Sequence, residues 1–402
     1  MSISRATSTW WPERPARTGK FPTPVGRAEY APPMPRRLVA LIAAAVVVVV
    51  GAVLIGLAAF GGDDHGRRPD YVAERPEPVS SGAGSLQWSA DGSQLYVVDA
   101  GGIDVFSGAP LEFADRIEWA RPNQVATWSA DRAKVALSSN EPGVELWDIE
   151  SREELPALDA GGGSAAPAWS PDGETIAIAG AGDDGGDVVT IDPRTGDELD
   201  RFDVFERGIQ LLGIAWPTPD RIIAVSYNSV TAIDPGTGEI VWAHSAQPDN
   251  LVVASAEAGA VVDGEGRVYT LDDGTELGHV SVVSYVKALD WSPDGSWLMA
   301  SGDDDRPQLW ETAAAETTHE YPSWEPYKAG VAWSPDSQLV AIPDLYDRRL
   351  MIADVNSDDD DGSDELWIPE DVVLTDTAWS PAGDRLVAVG EGHIVFVWAI
   401  AG

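Results

Sequence analysis

Short apolar runs, each closed by a turn, alternate with polar and acidic stretches from about residue 85 to the end of the chain. Runs this short, rich in Val and Ile and bounded by Gly, Pro, Asp and Ser, predict strands rather than helices. The pattern repeats. One run in each copy ends in Trp, at Trp88, Trp128, Trp169, Trp216, Trp291, Trp333 and Trp379, with intervals of 40, 41, 47, 75, 42 and 46 residues. The longest interval is close to two periods. Leu251-Val252-Val253-Ala254-Ser255-Ala256 fits the vacancy, with Ala254 standing 38 residues after Trp216 and 37 before Trp291.

A turn follows each Trp, and its fullest form is Ser170-Pro171-Asp172-Gly173. Pro presets φ, Asp bonds its own backbone and Gly supplies a positive φ, so the chain reverses tightly. Asp91, Asp131, Asp172, Asp220, Asp294 and Asp336 are read as turn formers. A second apolar run leaves the turn and a third ends in an acid: Asp148, Asp192, Asp234, Asp272, Glu311 and Asp354. The acid stands 20, 23, 18, 18, 20 and 21 residues after the repeat position. Two marks that keep step over six copies define a unit of about 40 to 45 residues, the period of a propeller blade of four strands.

The repeat resembles the WD-repeat β-propellers and the related bacterial propellers whose blades carry the Trp-Ser-Pro-Asp-Gly turn. The resemblance covers roughly residues 70 to 402. In the copy from Leu277 to Glu311, Gly278-His279, Ser301, Asp304 and Trp310 fall where that family places its Gly-His pair and the Ser, Asp and Trp of a polar network. The resemblance implies an all-β, eight-bladed propeller, with seven blades as the alternative if the Ala254 unit is an insertion. Blades are expected to start near Ser85, Val125, Ala166, Gly213, Leu251, Val286, Gly330 and Asp376. The last copy stops at its third strand, Ile394 to Trp398. Members of the family close by lending a strand from the other terminus, and Asp70-Tyr71-Val72-Ala73-Glu74 is the expected lender. The seven repeat Trp are read as structural, each packed between blades with a burial worth on the order of 2–3 kcal/mol.

The start of the chain is different. Residues 1–37 hold seven Pro and seven Lys or Arg against two Glu, which predicts a disordered basic tail. Leu38 to Phe60 is 23 residues without a charge. As a helix it is about 35 Å long, enough for a hydrocarbon core of about 30 Å. It is read as a single transmembrane helix, with a cleaved signal peptide as the competing reading. Arg27, Arg36 and Arg37 before the span favour a cytoplasmic tail and an extracytoplasmic propeller at the cell membrane. Residues 61–83 are then a stalk containing the lending strand, and 84–402 the propeller.

Composition narrows the chemistry. The net charge is −40, and after residue 37 there are 64 acidic residues against 19 basic ones. No basic stripe offsets this, so nucleic acid is not an expected partner. There is no Cys, hence no disulfide framework and no thiolate site. Arg exceeds Lys and Ala and Gly are abundant, in keeping with a GC-rich bacterial genome. The five His are scattered without metal-ligand spacing, and no nucleophile elbow occurs. The chain is therefore not expected to be an enzyme, and no cofactor is implied. Gly180-Ala181-Gly182-Asp183-Asp184-Gly185 matches a phosphate-loop string, but a strand follows it and its Asp pair repels a pyrophosphate. The acidic loop Asn356 to Glu365 fails the helix-loop-helix calcium template, so weak divalent cation binding is the lesser reading there.

Topology sorts loops onto two faces. Loops between second and third strands share a face with the blade-to-blade connections, and that set is acidic: Asp99, Glu141, Asp183, Asp184, Asp263, Glu265, Asp303, Asp304, Asp305, Asp344, Asp347 and Glu391. A ring of carboxylates around one mouth draws cations or basic partners; the plainer reading is solubility. In the connection Tyr321 to Tyr327, Trp324 is the candidate contact residue. The expected work is protein interaction or recognition at the cell surface. The alternatives are a sensor ectodomain with a separate signalling partner, and a metal-dependent propeller hydrolase.

Overall fold

Each Trp-ended run forms the innermost strand of a blade because its β-branched and aromatic residues pack on both faces against neighbouring sheets. The computed structural model describes residues 67–400 other than 76–84, 120–124, 139–142, 159–165, 181–185, 206–208, 210, 246–251, 281–285, 303–305, 322–329, 345–348, 358–363, 370–371 and 391–392. Among the described residues there are eight sheets of four strands, all antiparallel. Their first strands are Ser85–Trp88, Val125–Trp128, Ala168–Trp169, Leu211–Thr218, Val253–Ser255, Val286–Trp291, Ala332–Trp333 and Leu374–Trp379. Eight blades, not seven, is the outcome, and the Ala254 unit is a complete blade 5. No helix among the described residues is long and apolar enough to cross a membrane. The predicted tail 1–37 and span Leu38 to Phe60 lie outside them.

The core is a ring of interfaces rather than one centre. Eight apolar clusters each join one blade to the next, from the first pair (Tyr96, Val98, Val135, Leu137) round to the eighth and first (Val387, Val389, Val395 with Trp88, Leu95, Val97). A blade buries both faces only if the ring closes, so closure carries the burial energy. The indoles add direction. Trp169 Nε1 donates to Thr127 O at 3.1 Å, Trp333 Nε1 to Asp290 O at 3.2 Å and Trp379 Nε1 to Ala332 O at 3.1 Å. In each case the acceptor precedes the repeat Trp of the blade before. Trp291 Nε1 donates to Val253 O at 3.4 Å, and Val253 precedes Ala254. Ala254 therefore occupies the Trp slot of blade 5.

The turns obey one local rule. Ser170 Oγ donates to Asp172 Oδ1 at 2.6 Å and accepts the Thr175 N–H at 3.0 Å. The same side-chain pair closes the turns at Ser89 and Asp91, Ser129 and Asp131, Ser292 and Asp294, and Ser334 and Asp336. Bonds from Ser93 and Ser89 hold the Asp91 carboxyl down at about 2. The residue after the turn Asp is left-handed, φ +69° at Gly173 and +70° at Gly295. At Gly295 a Cβ would stand 2.1 Å from Ala258 N of the preceding blade, so only glycine fits.

Blade 8 is completed by Tyr71–Ala73, paired antiparallel to Ile394–Ala399 with Val72 opposite Phe396. Just before it, Arg67 is stitched to the outer strand of blade 7. Its N–H donates to Glu365 O at 2.7 Å, and its carbonyl accepts the Trp367 N–H at 2.9 Å and Trp398 Nε1–H at 3.2 Å. The chain thus enters the ring across two blades. The other outer edges are blunted: six of the third-to-fourth strand pairings carry a bulge. A bulge twists an open edge away from further pairing.

Candidate interaction surface

Of the loop-face residues singled out from the sequence, Asp183, Asp184, Asp303, Asp304, Asp305, Asp347 and Trp324 lie outside the described residues. Asp344 ends the strand Leu339–Asp344. Two others of the acidic set are not free surface charge, which corrects the picture of an unbroken ring. Asp263 is fully buried; it accepts the Glu265 and Arg267 N–H groups and pairs with the Arg267 guanidinium at 3.1 Å. Asp99 is buried and accepts two bonds from Arg116 at 2.8 and 2.9 Å. Tyr321 is also buried, against Met299, Trp333 and Met351. The sequence reading missed Tyr227. It sits at the tip of the hairpin Arg221–Ser226 to Ser229–Ile233, on the same face, and is 62% exposed. The signal was present: an aromatic in a two-residue turn has no core to fill.

Asp99 belongs to a buried ionic cluster at the seam between blades 8 and 1. Arg116 spans Asp99 and Asp104, reaching Asp104 Oδ1 at 2.8 Å. His393 comes from the second-to-third strand turn of blade 8, with φ +61° and no exposed surface, and its Nδ1 lies 2.5 Å from Asp104 Oδ2. His393 Nε2 lies 3.4 Å from Asp99 Oδ2. Arg75, two residues beyond the closing strand, lies 3.6 Å from Asp104 Oδ1. Burial alone would raise the Asp104 pKa, but the bonds and charges of His393 and Arg116 outweigh it and pull it below the usual range. The cluster ties the closing segment, blade 1 and blade 8 together.

A second pair of acids sits on the innermost strands. Asp290 of blade 6 and Asp376 of blade 8 are half-buried. Burial raises Asp290 to about 7; the Trp291 N–H opposes this and the charge of Asp376 adds to it. Burial raises Asp376 to about 6, against bonds from Leu86 N–H at 2.7 Å and Thr377 N–H at 2.9 Å. Among the described residues no three His, Asp or Glu side chains come together as ligands for one metal ion.

The family network expected around His279 is only partly assembled. Ser301 and Trp310 are buried, 1% and 0% exposed, but His279 is exposed on the outermost strand of blade 5, opposite Arg267. Ser301 Oγ and Trp310 Nε1 have no hydrogen-bond partner among the described residues, and Asp304 lies outside them.

The family model of the WD domain, G-beta repeat, matches residues 267–311. That stretch runs from the last two strands of blade 5 through the first three of blade 6. No curated protein matches the sequence. Among solved structures, a chain in a crystal structure of the Mitotic Checkpoint Complex superposes with TM-score 0.53 at 15% identity, covering 85% of this chain and 95% of that one. The Cps50 (Swd1) β-propeller domain of Myceliophteria thermophila superposes with TM-score 0.54 at 14% identity, covering 81% of this chain and 99% of the other. At such identities the likeness speaks for fold alone. The fold is an eight-bladed β-propeller, and the stretch 267–311 within it is similar to the WD40 repeat.

Proposed function

We propose that this chain is a membrane-anchored propeller of a bacterial cell surface, a scaffold that recognises other proteins through its loop face. The observation that carries the reading is the division of labour within each blade. The repeat Trp residues are spent on holding blade to blade and the turn Asp residues on closing their own turns, whereas Tyr227 stands clear of the core and the acidic connections differ in sequence from blade to blade. An exposed aromatic amid charged loops suits a contact hot spot. The apolar run Leu38 to Phe60 supports an anchor, and the basic tail before it supports an inside N-terminus. One of the two similar structures above is a chain in a crystal structure of the Mitotic Checkpoint Complex, which agrees with a scaffold role.

The test uses the full chain in nanodiscs as bait for cell-envelope proteins, beside two variants. One is Tyr227→Ala, the other the triple change Asp303→Asn, Asp304→Asn and Asp305→Asn. The reading predicts retained proteins whose binding falls tenfold or more in at least one variant, the loss of about 1.4 kcal/mol or more that a hot-spot residue gives. Equal retention by all three baits would contradict a loop-face site.

A further inference from the structure

Blade 2 breaks the turn rule twice, on one cleft. The left-handed residue of this turn is glycine in blades 1, 3, 6 and 8, with φ +70° at Gly92, +69° at Gly173, +70° at Gly295 and +73° at Gly383, and the small Ser337 in blade 7, at φ +62°. In blade 2 it is Arg132, at φ +58°. The turn between third and fourth strands repeats the exception. Blades 3, 4 and 5 place Gly196, Gly238 and Gly274 there, at φ +77°, +73° and +71°, blade 6 places Ala315 at φ +55°, and blade 2 places the much larger Arg152 at φ +59°. A left-handed conformation is costly for any residue with a Cβ, and blade 2 alone among the described turns bears that cost twice on one cleft. Both arginines line a cavity of about 440 Å³ between blades 1 and 2, on the turn face. That volume lies in the range of small-ligand and peptide pockets.

The two guanidinium groups are not equivalent. Arg152 pairs with Asp115. Arg132 has one long bond, from Nη1 to Trp88 O at 3.4 Å, and no ion-pair partner among the described residues. Burial pushes it down from the usual arginine range. The two Asp carboxylates of the cleft are already engaged. Asp91 Oδ1 accepts from Ser89 Oγ, Ser93 N–H and Ser93 Oγ at 2.7, 2.9 and 2.7 Å. Asp131 Oδ1 accepts from Ser129 Oγ at 2.5 Å and the Ala133 N–H at 3.0 Å. What the cleft lacks is an acceptor for the N–H groups of Arg132. Asp91, Asp131 and exposed Glu150 repel a carboxylate or phosphate brought to that place, whereas a neutral carbonyl meets no such repulsion.

We propose that this cleft binds an extended basic segment of a protein partner, whose backbone carbonyl oxygens cap Arg132 and whose Lys or Arg side chain meets Glu150 at the rim. It adds a second surface to the scaffold and rests on that reading only for the partner's being a protein. The probe is a library of random dodecapeptides selected on the full chain in nanodiscs, with enriched peptides remade and titrated by fluorescence polarisation. Arg132→Gly restores the glycine of the sister blades, so it keeps the turn and melts at or above the native temperature. Arg194→Gly, an exposed arginine of a blade 3 turn, is the control for loss of charge. The expected result is a basic peptide whose affinity falls tenfold or more in Arg132→Gly and is unchanged in Arg194→Gly. Peptides that bind native and Arg132→Gly chains equally would overturn the cleft while leaving the scaffold reading standing. No enrichment of any sequence would count against both.

Discussion

Replacing Asp104 with asparagine lowers the stability of the ring by about 3–5 kcal/mol, the cost of breaking a buried ion pair and stranding its partner. Asp104 is fully buried and holds both Arg116 and His393. Asparagine keeps the size but removes the charge, so Arg116 loses one of two carboxylates in a largely buried site. The loss concentrates at the seam. Amide exchange at Tyr71–Ala73 and Ile394–Ala399 should rise far more than at Ile222 to Val225 in blade 4, where no ionic clasp among the described residues crosses the interface. Glu198→Gln is the contrast: its partner Arg201 is exposed, and removal of that pair should cost less than about 1 kcal/mol. The pH dependence follows from sign. Asp104 is held below the usual carboxylate range in the folded state, so its contribution is complete above the unfolded value and is lost as pH falls through the folded one. Denaturant midpoints and exchange rates of the two variants check this. Equal loss in both, or exchange spread evenly round the ring, would remove the clasp from the account.

Stability should also fall on the other side of the carboxylate range, between about pH 4 and pH 7, because of Asp290 and Asp376. Their folded values stand near 7 and 6 against an ordinary 3.8, so the folded chain binds the extra protons. A raised acid contributes stability that is present below its unfolded value and is lost as pH rises through the folded one. For Asp290 the swing is at most about 4 kcal/mol, from about 1.4 kcal/mol per pKa unit. Asp290→Asn should remove most of the fall and leave the chain more stable at pH 8 than the native one. The turn carboxylates do not mask the effect, because Asp91, held at about 2, titrates below that window. Melting temperature measured from pH 4 to pH 8 for native and Asp290→Asn chains decides the matter. Parallel curves would mean that Asp290 is ionised throughout without penalty.

How much of this stood in the sequence depends on the range of the interaction. The turn rule is local, five residues long, and Ser170 to Thr175 shows it without any fold. The blade period follows from one Trp per copy, and even the vacant slot at Ala254 was legible because its neighbours kept their distance. The closing strand was legible because the last blade lacked its fourth strand. The seam was not. His393 and Asp104 stand 289 positions apart, and no spacing rule reaches that far. The same ring closure that packs Trp88 against blade 8 buries those charges together, so the cluster is a product of the circle and not of the repeat. The exposure of His279 was not legible for a similar reason. Its dipeptide matched, but its strand lies at the open edge of blade 5, where the side chain faces water. Arg132 and Arg152 stand where several sister blades have glycine, and their shared cleft became visible only when blades 1 and 2 were set side by side.

The ring of eight blades is shut by a strand drawn from before the first blade, and the absence of cysteine allows a clean test. Ala73 and Val395 are opposite each other across the closing pair, both buried. With Ala73→Cys and Val395→Cys in one chain, the account predicts an intrachain disulfide under mild oxidation, found by mass spectrometry in the monomer and lost when either substitution is made alone. Two thiols that remain free, or that link only between molecules, would show that the ring is not closed in this way.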